Sequence, residues 1–130
     1  MVIAHTGIKT TAEGLTAMVT FYEAALAPLG YKKTRVFYDG AANGFSDNPD
    51  GNNADWWVSV AKDGVPVKTH HAFVGKDRAA VDAFHKAGIE NGGKDNGPPG
   101  VRAQYHANYY AAFVYDPLGN NIEVAYQGPA

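Results

Sequence analysis

Apolar positions along the chain alternate with polar ones, then recur every three or four residues, then alternate again, and this change of period happens twice. Residues 2–9 are rich in β-branched side chains and stop at a polar loop over 10–14, which predicts a short first strand. Leu15, Met18, Val19, Tyr22, Ala25, Leu26 and Leu29 then fall on one face of a helix over 15–29, closed by Gly30. Residues 31–38 and 56–60 read as strands. The connection over 39–55, rich in Gly, Asn, Asp and Pro, has room for another short strand near Gly44 and Phe45. After a turn at Lys62, Asp63 and Gly64 the pattern restarts: a strand over 67–74, then a helix over 77–89 with Asp77 as N-cap. A Gly/Pro-rich loop over 91–101 follows, then strands over 109–115 and 122–126 joined by the turn Asp116-Pro117-Leu118-Gly119.

Each half therefore runs strand, helix, several strands, and the halves echo each other in sequence. Ala17, Met18 and Phe21 correspond to Ala80, Val81 and Phe84, and His5 to His70. The segment Asn48-Pro49-Asp50-Gly51-Asn52-Asn53-Ala54-Asp55 is repeated as Asp116-Pro117-Leu118-Gly119-Asn120-Asn121-Ile122-Glu123 with Pro, Gly and both Asn kept. This implies a single α+β domain over 1–130 built from two βαβββ modules, one over about 1–64 and one over about 65–127. A lone module cannot bury both its helix and its sheet, so the expected solution is a curved mixed sheet with the helices outside. A pseudo-twofold between the modules would bring His5 and His70 together in the cleft.

Composition narrows the partners. Eleven Lys+Arg against thirteen Asp+Glu give a net charge of −2, and 45% of the residues are hydrophobic, which excludes disordered and fibrous classes. No basic cluster marks a nucleic-acid or anionic-membrane surface. The chain contains no cysteine, so disulfides, thiolate metal sites and thiol nucleophiles are out. The N-terminus lacks a basic region and a long apolar run, and no stretch reaches the 18 or so apolar residues of a membrane span. A soluble, cytoplasmic protein acting on a small molecule is the expectation.

His5 on the first strand, the segment from Tyr22 to Tyr31, the strand His70-His71-Ala72-Phe73 and the segment from Tyr110 to Glu123 together resemble the vicinal oxygen chelate superfamily. This group contains glyoxalase I, extradiol dioxygenases and bleomycin-resistance proteins, and the resemblance covers nearly the whole chain. It implies a glyoxalase-like fold and homodimerisation. It also implies a divalent metal ion (Fe, Mn, Ni, Zn or Co) held by His5, His70 and Glu123. His71 replaces an aliphatic residue of the family pattern, and strand alternation turns it to the helix side. The fourth family position is open between two residues: the hydrophobic register puts Trp57 there, and the internal repeat offers Asp55.

Two imidazoles and one carboxylate leave coordination positions for a substrate or for oxygen, as in enolisation and non-haem iron chemistry. The resemblance thus implies a metal-dependent lyase, isomerase or dioxygenase acting on a small oxygen-bearing substrate that chelates the metal. The alternative is a metal-free protein that sequesters a planar molecule in a Trp-lined cleft. Trp56 and Trp57 occupy opposite strand faces, and Trp57 is the candidate substrate contact. The loop around Arg102, Tyr105 and His106 adds an anion clamp and candidate acid or base groups. His85, mid-helix, is expected to face solvent or to make an edge contact.

Overall fold

The computed structural model describes residues 3–50, 53–63 and 66–130. The expected strand start at Val2, the repeated Gly51 and Asn52, and the module boundary at 64/65 lie outside the described residues. The chain forms β1 (Thr6–Thr10), α1 (Leu15–Ala25), β2 (Lys32–Phe37), β3 (Ala42–Ser46) and β4 (Trp56–Val60). It repeats the order with β5 (His70–Val74), α2 (Arg78–Glu90), β6 (Lys94–Val101), β7 (Tyr110–Tyr115) and β8 (Asn121–Tyr126). The α+β class and the two βαβββ modules are thus as the sequence implies.

Several boundaries shift for local reasons. The first helix ends at Ala25, and Ala27–Leu29 tightens into a 3-10 turn around Pro28, whose ring has no N–H to continue the helix. Gly30 then takes φ of 88°, a left-handed conformation that suits glycine. The first strand starts at Thr6, so His5 lies on the segment entering it. Residues 94–101 form a strand where the Gly/Pro content predicts a loop. Its register against β7 breaks between Asp95 and Gly97 and again between Gly97 and Gly100, and as an edge strand it tolerates Pro98 and Pro99.

The strands make two four-stranded sheets, ordered β1-β4-β3-β2 and β5-β8-β7-β6, each with one parallel pair at the β1 or β5 edge. Both sheets lay one face on a shared core in which α1 packs against α2. Phe21 and Tyr22 of α1, Val81 and Phe84 of α2, Phe45, Trp56 and Val58 of the first sheet, and Val114, Ile122 and Val124 of the second are all buried there. Gly93 permits a close approach there: a Cβ would lie 2.6 Å from Val114 and 2.7 Å from Phe21. Asp77 caps α2, its carboxylate accepting the Ala80 N–H at 2.7 Å, as the sequence predicts. Among the described residues no helix is long and apolar enough to cross a membrane.

Candidate functional site

Each sheet turns its second face outward, and the two faces carry different chemistry. On the first, register places Gly7, Trp57, Gly44 and Arg35 in one row across the four strands and Lys9, Ser59, Ala42 and Phe37 in the next. The small residues make a floor, and a trough of about 1050 Å³ opens over it. Trp57 lies low in this trough because the glycine beneath it has no side chain: a Cβ at Gly44 would come within 2.9 Å of the indole. Its Nε1–H donates to the Ala54 carbonyl at 2.9 Å, and its ring stacks on Phe37, 5.7 Å between centroids and 13° from parallel. His5 lines the same trough.

Asp55 does not. Its Oδ2 accepts the Tyr31 hydroxyl at 3.3 Å, and it lines the cleft where the two modules meet. Burial, the largest cause, pushes its carboxyl up, as does the charge of Asp47, while the bond from Tyr31 holds it down. Trp57 thus stands in the trough that His5 lines, while Asp55 lines a second, smaller hollow that His5 also borders. The expected opposite facing of the tryptophans is also seen: Trp56 is buried, packed on His71 and Phe73. His71 points to that core side, its Nε2 buried without a protein partner among the described residues, and burial lowers its tendency to charge.

On the second sheet's outer face stand His70 and Glu123, brought together by the β7–β8 turn. Asp116, 2% exposed, organises this turn by accepting the N–H groups of Leu118 and Asn120, the side-chain amide of Asn120 and the Tyr22 hydroxyl. Asn120 in turn accepts the Thr69 N–H at 2.9 Å, and Asn121 N–H donates to the Thr69 carbonyl at 2.9 Å. That chain of bonds fixes the register in which His70 lies beside Asn121 and Ala72 beside Glu123.

The result is a specific arrangement of polar atoms. His70 Nδ1 lies 3.2 Å from the Asn121 carbonyl, an acceptor only, so Nδ1 carries the hydrogen. His70 Nε2 faces Glu123 Oε2 at 3.1 Å, and the Tyr109 hydroxyl donates to Glu123 Oε1 at 2.5 Å. Burial first, then the bond to Glu123, pushes the Tyr109 hydroxyl up to about 12. Two lone-pair atoms 3.1 Å apart need a positive centre between them, a proton or a cation. Glu123 is buried, which makes that need acute.

His70 and Glu123 suit adjacent ligands of one ion, and the Asn121 carbonyl orients the imidazole as outer partners of metal-bound histidines do. His5, on the segment entering β1, lines the first-sheet trough, and among the described residues no three His, Asp or Glu side chains are grouped to hold a metal. One chain brings together two of the three expected ligands.

The loop residues divide. The Arg102 guanidinium lies over the Phe113 ring at 5.5 Å and donates to the Pro98 carbonyl at 2.7 Å, on the same outer face as Glu123. Tyr105 packs edge-on against Tyr109, and His106 Nδ1 accepts the Asn108 N–H at 3.1 Å, which ties it to its own turn. His85 pairs with Asp95 of the edge strand β6 at 2.8 Å, the second of its two expected settings. Sequence reasoning missed Tyr109, Lys9 and Phe37. Strand alternation carries a signal for Lys9 and Phe37, which share the outer face with Gly7 and Arg35; nothing in the sequence marks the Tyr109–Glu123 bond.

No protein-family model and no curated protein sequence matches the chain. Its structure is similar to a glyoxalase/bleomycin resistance protein from Albidiferax ferrireducens, with 23% identity over 95% of each chain and a TM-score of 0.72. It is similar to a lactoylglutathione lyase from Agrobacterium tumefaciens, with 18% identity over 96% of this chain and 92% of that one and a TM-score of 0.65. It also matches a glyoxalase I variant from Zea mays, with 19% identity over 95% of this chain but 46% of that one and a TM-score of 0.70. The chain therefore has the fold of the glyoxalase, bleomycin-resistance and dioxygenase proteins of the vicinal oxygen chelate superfamily.

Proposed function

We propose that this chain is a metal-dependent, glyoxalase-like enzyme that works as a cytoplasmic homodimer on a small oxygen-bearing substrate. Its site is composed from two copies. The second-sheet face of one copy supplies His70 and Glu123, and the first-sheet face of the other supplies His5 together with the Trp57 trough. The observation that carries this reading is the His70 Nε2 to Glu123 Oε2 approach at 3.1 Å with Nδ1 committed to the Asn121 carbonyl. Such a pair is pre-oriented for a cation, and the chain's own third ligand stands on a different face. Ile3, Val67 and Val74, each more than half exposed, are the kind of apolar surface that a second copy would cover.

A divalent ion held there supplies Lewis-acid polarisation of a substrate oxygen. The chain's own residues do the rest. Tyr109 holds the Glu123 carboxylate in place, and Asn121 holds the His70 ring. Trp57 and Phe37 present an aromatic wall, and Arg102 presents a cation on the face that carries Glu123. Since Trp57 stands where a fourth protonatable ligand would be, the first-sheet face offers no carboxylate base in that position.

The test is metal content by mass spectrometry and mass in solution by light scattering, on wild type and on His5→Ala, His70→Ala and Glu123→Ala. The expected result is a dimer with bound first-row metal that each substitution depletes. A dimer whose wild type carries no metal after loading supports the second reading, a metal-free binder using the Trp57 trough, which the stacked Trp57/Phe37 pair favours. A monomer overturns both the shared site and the partner assignment.

A further inference from the structure

The first-sheet trough has a chemistry that neither the fold nor the metal ligands dictate. Its floor is made of residues with little or no side chain, Gly7, Gly44, Ala42 and Ser59, in two adjacent rows of the sheet. On that floor the Trp57 indole is fixed at both ends, by its bond to the Ala54 carbonyl and by its stack on Phe37. A flat aromatic surface held in this way loses little freedom when another ring lies against it. Among the described residues the charged side chains lining the slot are Lys9, Arg35, Lys62 and Asp63. Lys9 is held in place by one hydrogen bond, Nζ to Ser59 Oγ at 2.8 Å, and its ammonium has further hydrogens to donate. Lys9 stands on the strand next to that of Trp57 and one row away, so a ring on the indole and an anion on Lys9 belong to one small molecule.

We propose that the trough selects a planar aromatic carboxylate, with the ring against Trp57 and Phe37 and the carboxylate on Lys9. This deepens the proposed function by naming a substrate class, and it rests on that reading only for placing the ligand beside a metal. A carboxylate is also an oxygen donor, so the same group that Lys9 recognises suits a substrate that chelates a cation.

The test is calorimetric titration of the whole protein, kept in chelator so that no metal contributes, with four probes. These are 2-naphthoate, its neutral counterpart 2-naphthalenemethanol, its cationic counterpart 2-naphthylmethylamine, and the non-aromatic cyclohexanecarboxylate. Naphthoate is expected to bind tightest, by about tenfold over the alcohol. Lys9→Gln, a surface change, should lower naphthoate to the level of the alcohol and leave the alcohol unchanged. Trp57→Ala should weaken all three naphthalene probes. The proposal is overturned by equal binding of alcohol or amine and naphthoate, by cyclohexanecarboxylate binding as well as naphthoate, by a Lys9→Gln variant that keeps the preference, or by no naphthoate binding at millimolar concentration. Because these titrations exclude metal, their failure leaves the metal-content result standing, and loss of the metal reading leaves theirs intact.

Discussion

Tyr22→Phe removes one oxygen from the centre of the molecule and tests whether the two modules are held in register by a buried carboxylate. The Tyr22 ring is fully buried and stays in place in the variant, packed at 4.9 Å from Phe21 and 5.4 Å from Trp56, so the hydrogen bond is what changes. That bond, 2.7 Å to Asp116 Oδ2, is to a charged group and is worth about 1.5–3 kcal/mol. Asp116 keeps its three donors from Leu118 and Asn120, which places the loss near the lower end, about 1.5–2 kcal/mol. For a chain of this size that is a fall in Tm of roughly 5–8 °C. Asp116→Asn should cost more, since an amide turns a donor toward donors that the carboxylate accepted.

The pH dependence gives a second, independent reading. Burial, then the charge and the bond of Asp116, push the Tyr22 hydroxyl well above its ordinary range. The folded state thus keeps a proton that the unfolded state releases near pH 10, so this stability is fully present below about pH 10 and declines as pH rises beyond it. Urea unfolding across pH 7 to 11 should show that decline in wild type and a shallower one in Tyr22→Phe. A loss under about 0.5 kcal/mol, with an unchanged alkaline slope, would refute the argument that this bond ties the modules together.

Further outcomes follow from the same contacts. Gly44→Ala should lift the Trp57 indole and break its stack on Phe37, seen as a shift in tryptophan emission and a cost of about 1–3 kcal/mol, because the new Cβ would meet Ala54 at 2.6 Å; emission and stability like wild type would show that the floor is not tight. Asp55→Asn should stabilise the protein at pH 7 and lose its advantage below about pH 4, since burial and Asp47 raise the Asp55 carboxyl and the protonated form is the better tolerated one; chemical denaturation at the two pH values checks it. Tyr109→Phe should weaken metal retention by about 10–100-fold, because Glu123 loses the donor that orients it; competition with a chromophoric chelator measures this, and unchanged retention would remove Tyr109 from the site.

Much of this was legible in the chain. The doubled change of period places seven of the eight strands and both helices, because a half-buried strand or helix must show its face in the sequence. The edge strand over 94–101 was hidden because glycine and proline, which there break the register twice, read as loop signals. His70 and Glu123 came together as the resemblance implies, through the Asp116–Asn120–Thr69 bonds that the repeated turn carries. The separation of His5 from them was not legible, since a pattern of faces says which side of its own sheet a residue takes but not how two sheets of one chain are set. The side Asp55 takes was not legible either, because its carboxylate accepts the Tyr31 hydroxyl and no spacing rule expresses that contact.

The shared site has one direct measurement. His5→Ala and His70→Ala chains are each expected to lose metal alone; co-expressed with different tags and purified as the mixed dimer, they should regain one intact site, because one half-pair then carries both native ligands and the other carries both changes. Recovery of about half the wild-type metal per dimer is the predicted result. A mixed dimer as empty as either parent would contradict the account, placing His5 and His70 in the same chain's site or removing one of them from metal binding.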